Sequence, residues 1–255
     1  MRAIVINKYV EKPSDLTATT APDPSPKPGE YTIQIHAAAA NFFDILQIQG
    51  RYQTQPPFPW VAGVEFAGTV LSVPPSPSPS SFQVGDRVFG GTQDRKLAVA
   101  RSYGAHHAVS YTSPDWPSRV KQLTPNQRGV DIVFDPVGLV DASTKCTAWN
   151  GRILVVGFAA GAIEKVPVNK VLLKNIALVG IFWGAYAVNQ PEVVPQVWHG
   201  VMRLISEGKL RPTVYQDDGF AGLDSVKDAL SALASRRTWG KVVITIPPPQ
   251  ETSRL

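Results

Sequence analysis

The pattern of apolar and polar residues changes between residues 89 and 94. Before this point, short runs rich in Val, Ile and Tyr are separated by clusters of Pro, Gly and Ser. Such runs are typical of β-strands joined by turns. They predict strands over residues 3–6, 31–38, 67–73 and 86–89. A single helical turn is predicted to begin near Asn41 and to close at Gly50.

After residue 94 the pattern predicts helices that alternate with strands. Continuous apolar runs such as VDIVFDPVG, GRILVVGFAAG and NIALVGIFWG are typical of strands buried on both faces of a parallel sheet. Segments with helical spacing lie between and after them. The predicted helices span residues 94–104, 114–124, 141–150, 194–208 and 224–237, and further strands span residues 106–111 and 240–246. The fold class is therefore α/β with a parallel sheet.

Composition and charge exclude several classes of protein. The formal net charge is +5, but the basic residues are spread along the chain with no run longer than Arg236-Arg237. An RNA-binding role is therefore permitted by charge and supported by no motif. Cys146 is the single cysteine, and the four histidines are too scattered for a zinc motif. The first residues lack the apolar core of a signal peptide, and no apolar run reaches the ~18 residues of a membrane span. We expect a cytoplasmic protein.

Several stretches, in a fixed order, resemble one family. They are AANFFDILQIQGRYQTQPPFPWVAGVEFAGTV, FQVGDRVFGG, KLAVARSYGAHHAVSY, GVDIVFDPVG, NGRILVVGFAAG and TWGKVVI. Together they are similar to the zeta-crystallin-like NADPH:quinone oxidoreductase branch of the medium-chain dehydrogenases/reductases. The resemblance implies a GroES-like β domain, over residues 1–91 and 212–255, interrupted by a Rossmann domain over residues 92–211. It also implies that cofactor and substrate bind in the cleft between the two domains.

The sequence departs from this family at Gly91–Thr92. There the family continues into the end of the GroES-like domain, a linker helix, and a strand with a glycine-rich turn into a helix. Here the chain runs almost directly into the helix that follows the second Rossmann strand, and no GxGxxG or comparable run occurs in it. That turn and the following helix N-terminus ordinarily hold the pyrophosphate of the dinucleotide. The departure predicts an internal deletion that leaves apolar strand faces and a sheet edge uncovered.

The resemblance implies three candidate catalytic residues, which are Asn41, Asp44 and Tyr52. Asn41 and Asp44 lie where zinc-binding members of the family place a cysteine ligand and its neighbours, and in related reductases this stretch faces the nicotinamide. From the residues alone, Asn41 is also a helix N-cap and Asp44 an acidic residue of the first turn. Tyr52 either lines the same site or packs. These alternatives stay open at this stage.

The resemblance also implies contacts to NADPH. Lys96 matches the position at which NADPH-using relatives place a cation near the ribose 2′-phosphate, a dianion that needs one. Tyr111 matches an aromatic residue that lies beside the same phosphate. Val156, Gly157 and Phe158 match the segment that abuts the nicotinamide ribose, although a strand exit with a glycine turn has the same sequence. Arg236 and Lys241 match a basic segment that closes over the cofactor, or else complement a helix dipole.

The leading function hypothesis is a zinc-free reductase that transfers a hydride from NADPH to a quinone or an α,β-unsaturated carbonyl. The nicotinamide carries this chemistry, so the protein needs no metal and no committed general base. The alternative is a catalytically impaired or dead remnant of the family. The expected partner is a small-molecule substrate. A homodimer that pairs the strand over residues 176–183 is also possible by resemblance.

Overall fold

The computed structural model describes residues 1–28, 30–73, 87–89, 105–107, 109–111, 113–159, 161 and 163–247, with only the backbone of 87–89. The chain forms two compact units. Unit 1 comprises Met1–Lys96 and Pro212–Leu255, and unit 2 comprises Leu97–Arg211. Among the described residues, no helix has the length and apolar character needed to cross a membrane.

The strands of the described residues are short and lie in both units. They are β1 (Arg2–Ile6), β2 (Ala18–Thr20), β3 (Thr32–Ala40), β4 (Trp60–Val61), β5 (Phe66–Ser72), β6 (Arg87–Phe89), β7 (Val130–Asp135), β8 (Thr147–Val155), β9 (Ala177–Gly180), β10 (Phe220–Ala221) and β11 (Val242–Thr245).

The α-helices of the described residues are mostly of two turns. They are α1 (Phe42–Ile48), α2 (Trp116–Gln122), α3 (Val140–Cys146), α4 (Val168–Lys174), α5 (Trp183–Asn189), α6 (Val193–Ser206) and α7 (Val226–Ala234). Gly50, just after α1, has a φ of 69°. This is the left-handed conformation in which glycine commonly ends a helix, as the sequence predicted.

Unit 1 is built on a mainly antiparallel sheet with the strand order β10-β11-β3-β5-β6. Only the β10–β11 pair is parallel. A second sheet has the order β2-β1-β4. Helices α1 and α7 contribute Ile45, Ile48 and Leu230 to a core that also includes Val242 and Ile244 of β11. Ala40, the last residue of β3, belongs to the same core.

Unit 2 contains a parallel sheet with the strand order β7-β8-β9. Its core is small: Val140, Ile153 and Ile176 are buried together, with Val133 packed against them. Together with the mainly antiparallel sheet of unit 1, this parallel sheet confirms the predicted α/β class.

Two sequence predictions about the strands of unit 2 were wrong. The strand predicted to be buried on both faces, β7, leaves Ile132 and Phe134 62% and 63% exposed, because those alternate residues lie on the face opposite the small core. The described residues of the segment 106–111 form no strand, and Tyr111 lies in a turn. The helix predicted over 94–104 lies outside the described residues.

A third prediction, a helix as far as Asn150, was also wrong. Helix α3 ends at Cys146, and β8 begins at once with Thr147. The Lys174 ammonium donates to the carbonyls of Thr144 and Thr147, both at 2.7 Å. It thereby satisfies the carbonyl of Thr144, which the end of α3 leaves without an intrahelical partner. Lys174 lies in α4, far from this boundary in sequence. The contact at the change from helix to strand could therefore not be predicted from the local sequence.

Candidate functional site

The topology of unit 1 brings three polar residues to one end of its sheet. Asn41 follows β3, whereas Glu65 precedes β5 and Lys241 precedes β11. Both of these strands run antiparallel to β3 and flank it. The end of β3 therefore lies beside the beginnings of β5 and β11, and Ala40 pairs with Val242.

Short hydrogen bonds join these three side chains. The Lys241 Nζ lies 2.6 Å from Oε2 of Glu65, and the two side chains are only 14% and 12% exposed. Lys241 also donates to Oδ1 of Asn41 at 2.6 Å. Asn41 in turn donates from Nδ2 to Oε2 of Glu65 at 2.7 Å. We refer to these three residues and Asp44 as the Asn41 network.

Asp44 is the buried acid of the network. Its Oδ2 accepts a hydrogen bond from the backbone N–H of Asn41 at 2.7 Å. The residue is 5% exposed, and its Oδ1 has no hydrogen-bond partner among the residues that the structure describes. Burial raises the pKa of Asp44 from 3.8 to about 6, with a smaller increase from Glu65; the hydrogen bond from Asn41 and the charge of Lys241 act against this. Asp44 therefore keeps its proton to a higher pH than an ordinary aspartate, into the mildly acidic range.

Tyr52 and Arg236 have other surroundings. The Tyr52 ring lies 5.3 Å from the ring of Phe43, centre to centre, so it packs against α1. Arg236 follows α7 with an exposed side chain and a φ of 56°. The structure thus joins Asn41, Asp44 and Lys241 directly, and it packs the Tyr52 ring against α1, the helix that carries Asp44.

In unit 2, Tyr111 lines a cavity of about 410 Å³. The cavity extends to Trp116 of α2 and to Phe134 and Asp135 at the end of β7. Val133 and Phe134, which point to opposite faces of the sheet, both line it. The lining of the cavity is mainly apolar.

The buried carboxylate of Asp135 organises the loop after β7. It accepts hydrogen bonds from the backbone N–H groups of Val137, Gly138 and Leu139 at 2.7–2.9 Å. Its own carbonyl accepts from the N–H of Val156 at 2.9 Å. The predicted ribose segment, which begins at Val156, is thereby tied to this loop.

The backbone at Gly157 lies very close to the same loop. A Cβ at this position would be 3.2 Å from the carbonyl oxygen of Pro136, which is a tight contact. Phe158 is 44% exposed. The structure therefore brings Val156, Gly157 and Phe158 alongside residues 135–136, whereas Lys96 lies outside the described residues.

Sequence reasoning missed Glu65 and Asp135. Glu65 directly precedes one apolar strand, and Asn41 directly follows another. Their proximity could be predicted only if the pairing of those two strands was known. Asp135 stands in the motif Asp-Pro-Val-Gly at the end of an apolar run, where a short acid commonly binds the backbone of a following turn. The sequence therefore contained a signal from which the role of Asp135 could have been predicted.

A metal site would need several ligand side chains close together, and the described residues contain no such group. Within that part of the chain, no three residues among His, Cys, Asp and Glu are placed to hold a metal ion. The Asn41 network has a different character, because the Lys241 ammonium already offsets the charge of Glu65.

Comparison with known proteins assigns this architecture to a class of oxidoreductases. Residues 27–113 match the alcohol dehydrogenase GroES-like domain, and residues 88–207 match the zinc-binding dehydrogenase family. The chain belongs to the medium-chain dehydrogenase/reductase family.

Individual relatives agree with this assignment. The quinone oxidoreductase-like protein 2 homolog of Nematostella vectensis is 26% identical over 83% of this chain and 80% of its own length. A mycobacterial protein solved with NADPH shares the fold with a TM-score of 0.81, at 20% identity, over 96% of this chain and 99% of that one. An NAD-dependent alcohol dehydrogenase gives a TM-score of 0.79 at 22% identity, over 97% and 100%.

The alignment to the Nematostella relative also bears on the deletion. It spans 296 positions, whereas the whole chain has 255 residues. The relative therefore has residues within the aligned region that have no counterpart here. This confirms a shortened chain, and the position of the deletion at Gly91–Thr92 stays a prediction.

Proposed function

We propose that this chain is a zinc-free, NADPH-dependent oxidoreductase that acts on quinones or α,β-unsaturated carbonyls, with a weakened hold on its cofactor. The observation that carries the proposal is the Asn41 network, a largely buried set of converging polar groups at the end of the unit 1 sheet. The name of the Nematostella relative supports a quinone as substrate, and the mycobacterial structure supports NADPH.

The residues fit one part of the cofactor and fail to fit another. Asn41, Asp44 and Lys241 supply hydrogen-bonding groups suited to the nicotinamide end, and Tyr111 with Lys96 is assigned to the 2′-phosphate by resemblance. The pyrophosphate has no corresponding glycine-rich turn in the sequence. We therefore expect NADPH to bind, and to bind much more weakly than it binds to an intact relative.

Bound NADPH would supply the hydride. The protein's own residues would orient the reacting groups and limit water. Asn41 is held rigidly by Lys241 and Glu65. The product enolate or hydroquinone can take its proton from water, so no side chain is assigned as the proton donor. Zinc independence is supported by Lys241, since a second cation beside this ammonium would be repelled.

The proposal is tested by titrating the purified chain with NADPH and with NADH, followed through tryptophan fluorescence. Turnover is then measured with a simple quinone and with an enone, before and after treatment with a zinc chelator. We expect weak NADPH binding, weaker NADH binding, and slow turnover that the chelator does not change.

Three results would count against the proposal. A folded chain with no turnover at millimolar NADPH would favour the catalytically dead remnant. A preference for NADH would remove the roles of Lys96 and Tyr111. Loss of turnover in chelator, restored by zinc, would remove the metal-free mechanism.

A further inference from the structure

The side-chain amide of Asn41 lies between two groups of opposite hydrogen-bonding character. The Lys241 ammonium can only donate, and the Glu65 carboxylate, when ionised, can only accept. Oδ1 of Asn41 faces Lys241 at 2.6 Å, and its Nδ2 faces Glu65 at 2.7 Å. A flipped amide would place a donor against the ammonium and an acceptor against the carboxylate. The two neighbours therefore permit only one orientation.

We propose that Glu65 and Lys241 are positioning residues that lock the Asn41 carboxamide in one orientation and so select the ligand group it can bind. Oδ1 has two lone pairs: Lys241 uses one, and the backbone N–H of Asp44 faces the same side chain in the capping box at the start of α1. Nδ2 has two N–H groups, of which Glu65 accepts one, while the carbonyl of Ala39 lies 3.4 Å from Nδ2. Both groups that face Oδ1 are donors, so the amide oxygen is held toward donor groups and Asn41 acts as a hydrogen-bond acceptor.

The ligand class follows from this assignment. An acceptor recognises an N–H or O–H donor, and the nicotinamide end of NADPH has a primary carboxamide with two N–H groups. The assignment of that ligand rests on the proposed function, whereas the locking of the amide does not. The ion pair suits the task, because its side chains are 14% and 12% exposed and salt screens such pairs much less than exposed ones.

The orientation of the amide is tested first without any cofactor. The side-chain NH₂ signals of Asn41 are recorded by NMR on asparagine-labelled protein and assigned by their loss in N41A. The chain is compared with E65Q, in which the amide oxygen of the new side chain still accepts but the charge is lost. It is also compared with the double variant E65K/K241E, which exchanges donor and acceptor. We expect shifted and less protected signals in E65Q, and in the double variant signals displaced as a flipped amide requires.

The double variant E65K/K241E distinguishes two roles of the Glu65–Lys241 pair, a purely structural role and a role in positioning Asn41. The exchanged pair still joins β5 to β11, so a structural role predicts near-normal thermal unfolding and normal NADPH binding. A positioning role predicts near-normal unfolding and NADPH binding weakened roughly tenfold or more, because Asn41 then presents a donor to a donor.

The matched control exchanges the exposed pair of unit 2, R128D/D131R. This pair is joined at 2.6–2.7 Å but is more than half exposed. We expect the control to leave both the Asn41 signals and the NADPH affinity unchanged. E65Q keeps the test informative if the double variant does not fold.

The outcomes separate the two proposals. Asn41 signals that are the same in the parent chain and in folded variants would overturn the locking of the amide. Changed signals with undiminished NADPH affinity would overturn the selection of the ligand group. Changed signals in a chain that binds no NADPH would support the locking and overturn only the proposed function.

Discussion

At the scale of single residues, Asp44 makes stability depend on pH in an unusual direction. Its pKa is about 6 in the folded chain, against 3.8 for an unperturbed group. Because the folded value is the higher one, its contribution to stability is fully present below pH 3.8 and is lost as pH rises through 6. The two-unit difference corresponds to about 3 kcal/mol between low and mildly alkaline pH.

The variant D44N tests this assignment, since asparagine resembles the protonated acid. We expect the free energy of unfolding of D44N, measured by urea denaturation, to approach that of the parent chain near pH 4. It should exceed that of the parent chain at pH 8. A control variant, D131N, changes an exposed acid and should not alter the pH profile in this range. Equal profiles for D44N and the parent chain would show that Asp44 titrates normally.

The two charges of the network should move the pKa of Asp44 in opposite directions. Glu65 raises it through charge repulsion, and Lys241 lowers it through attraction. We therefore expect E65Q to lower this pKa and K241M to raise it, as followed by NMR titration of the Asp44 carboxyl carbon. Shifts of the same sign in both variants would contradict the proximity of the three groups.

Three of the four network residues could be predicted from sequence, and the fourth could not. Asn41, Asp44 and Lys241 lie in motifs that the family resemblance covers. Glu65 also lies in such a stretch, but its role arises from contact with residues far away in sequence. That contact depends on β3 lying between β5 and β11, which the periodicity of each strand alone does not reveal.

At the scale of elements, β7 shows where the apolar pattern misleads. A continuous apolar strand is expected to be covered on both faces. In the structure Val133 packs on the unit 2 core, whereas Ile132 and Phe134 are mostly exposed. Such a pattern is typical of a sheet with helices on both faces, and this chain lacks residues that its Nematostella vectensis relative has within the aligned region. The pattern therefore predicted the strand correctly and its environment incorrectly.

The exposed face of β7 should promote self-association. We expect the double variant I132T/F134T to remain more monomeric on concentration, as measured by light scattering, since apolar surface patches drive association. Its thermal stability should change little, because these side chains bury little surface. V133T is the matched control on the same strand, and it should destabilise the chain without reducing association. Unchanged association in I132T/F134T would show that another surface is responsible.

At the scale of the whole molecule, the order of elements was the most predictable feature. The change from antiparallel strands to a parallel sheet follows from the change in apolar periodicity, and the last strand, β11, returns to the first sheet. That return places Lys241 two hundred residues away from Asn41 in sequence and 2.6 Å from it in space. Pattern alone does not give this long-range pairing, which the family resemblance supplied only in outline.

The missing segment provides the test of how much cofactor affinity a glycine-rich turn contributes. A chimera would carry, at Gly91–Thr92, the residues that the Nematostella relative has opposite the shortened region. Backbone N–H groups of the turn and the following helix N-terminus would then hold the pyrophosphate. We expect NADPH to bind the chimera at least roughly tenfold more tightly than the present chain, a gain of about 1.4 kcal/mol.

Replacing the glycines of the inserted turn by valine is the control, because a Cβ there blocks the approach of the pyrophosphate and should abolish the gain. A folded chimera with no gain would mean that the unit 2 residues no longer form a dinucleotide site, and that NADPH is not the ligand of this chain.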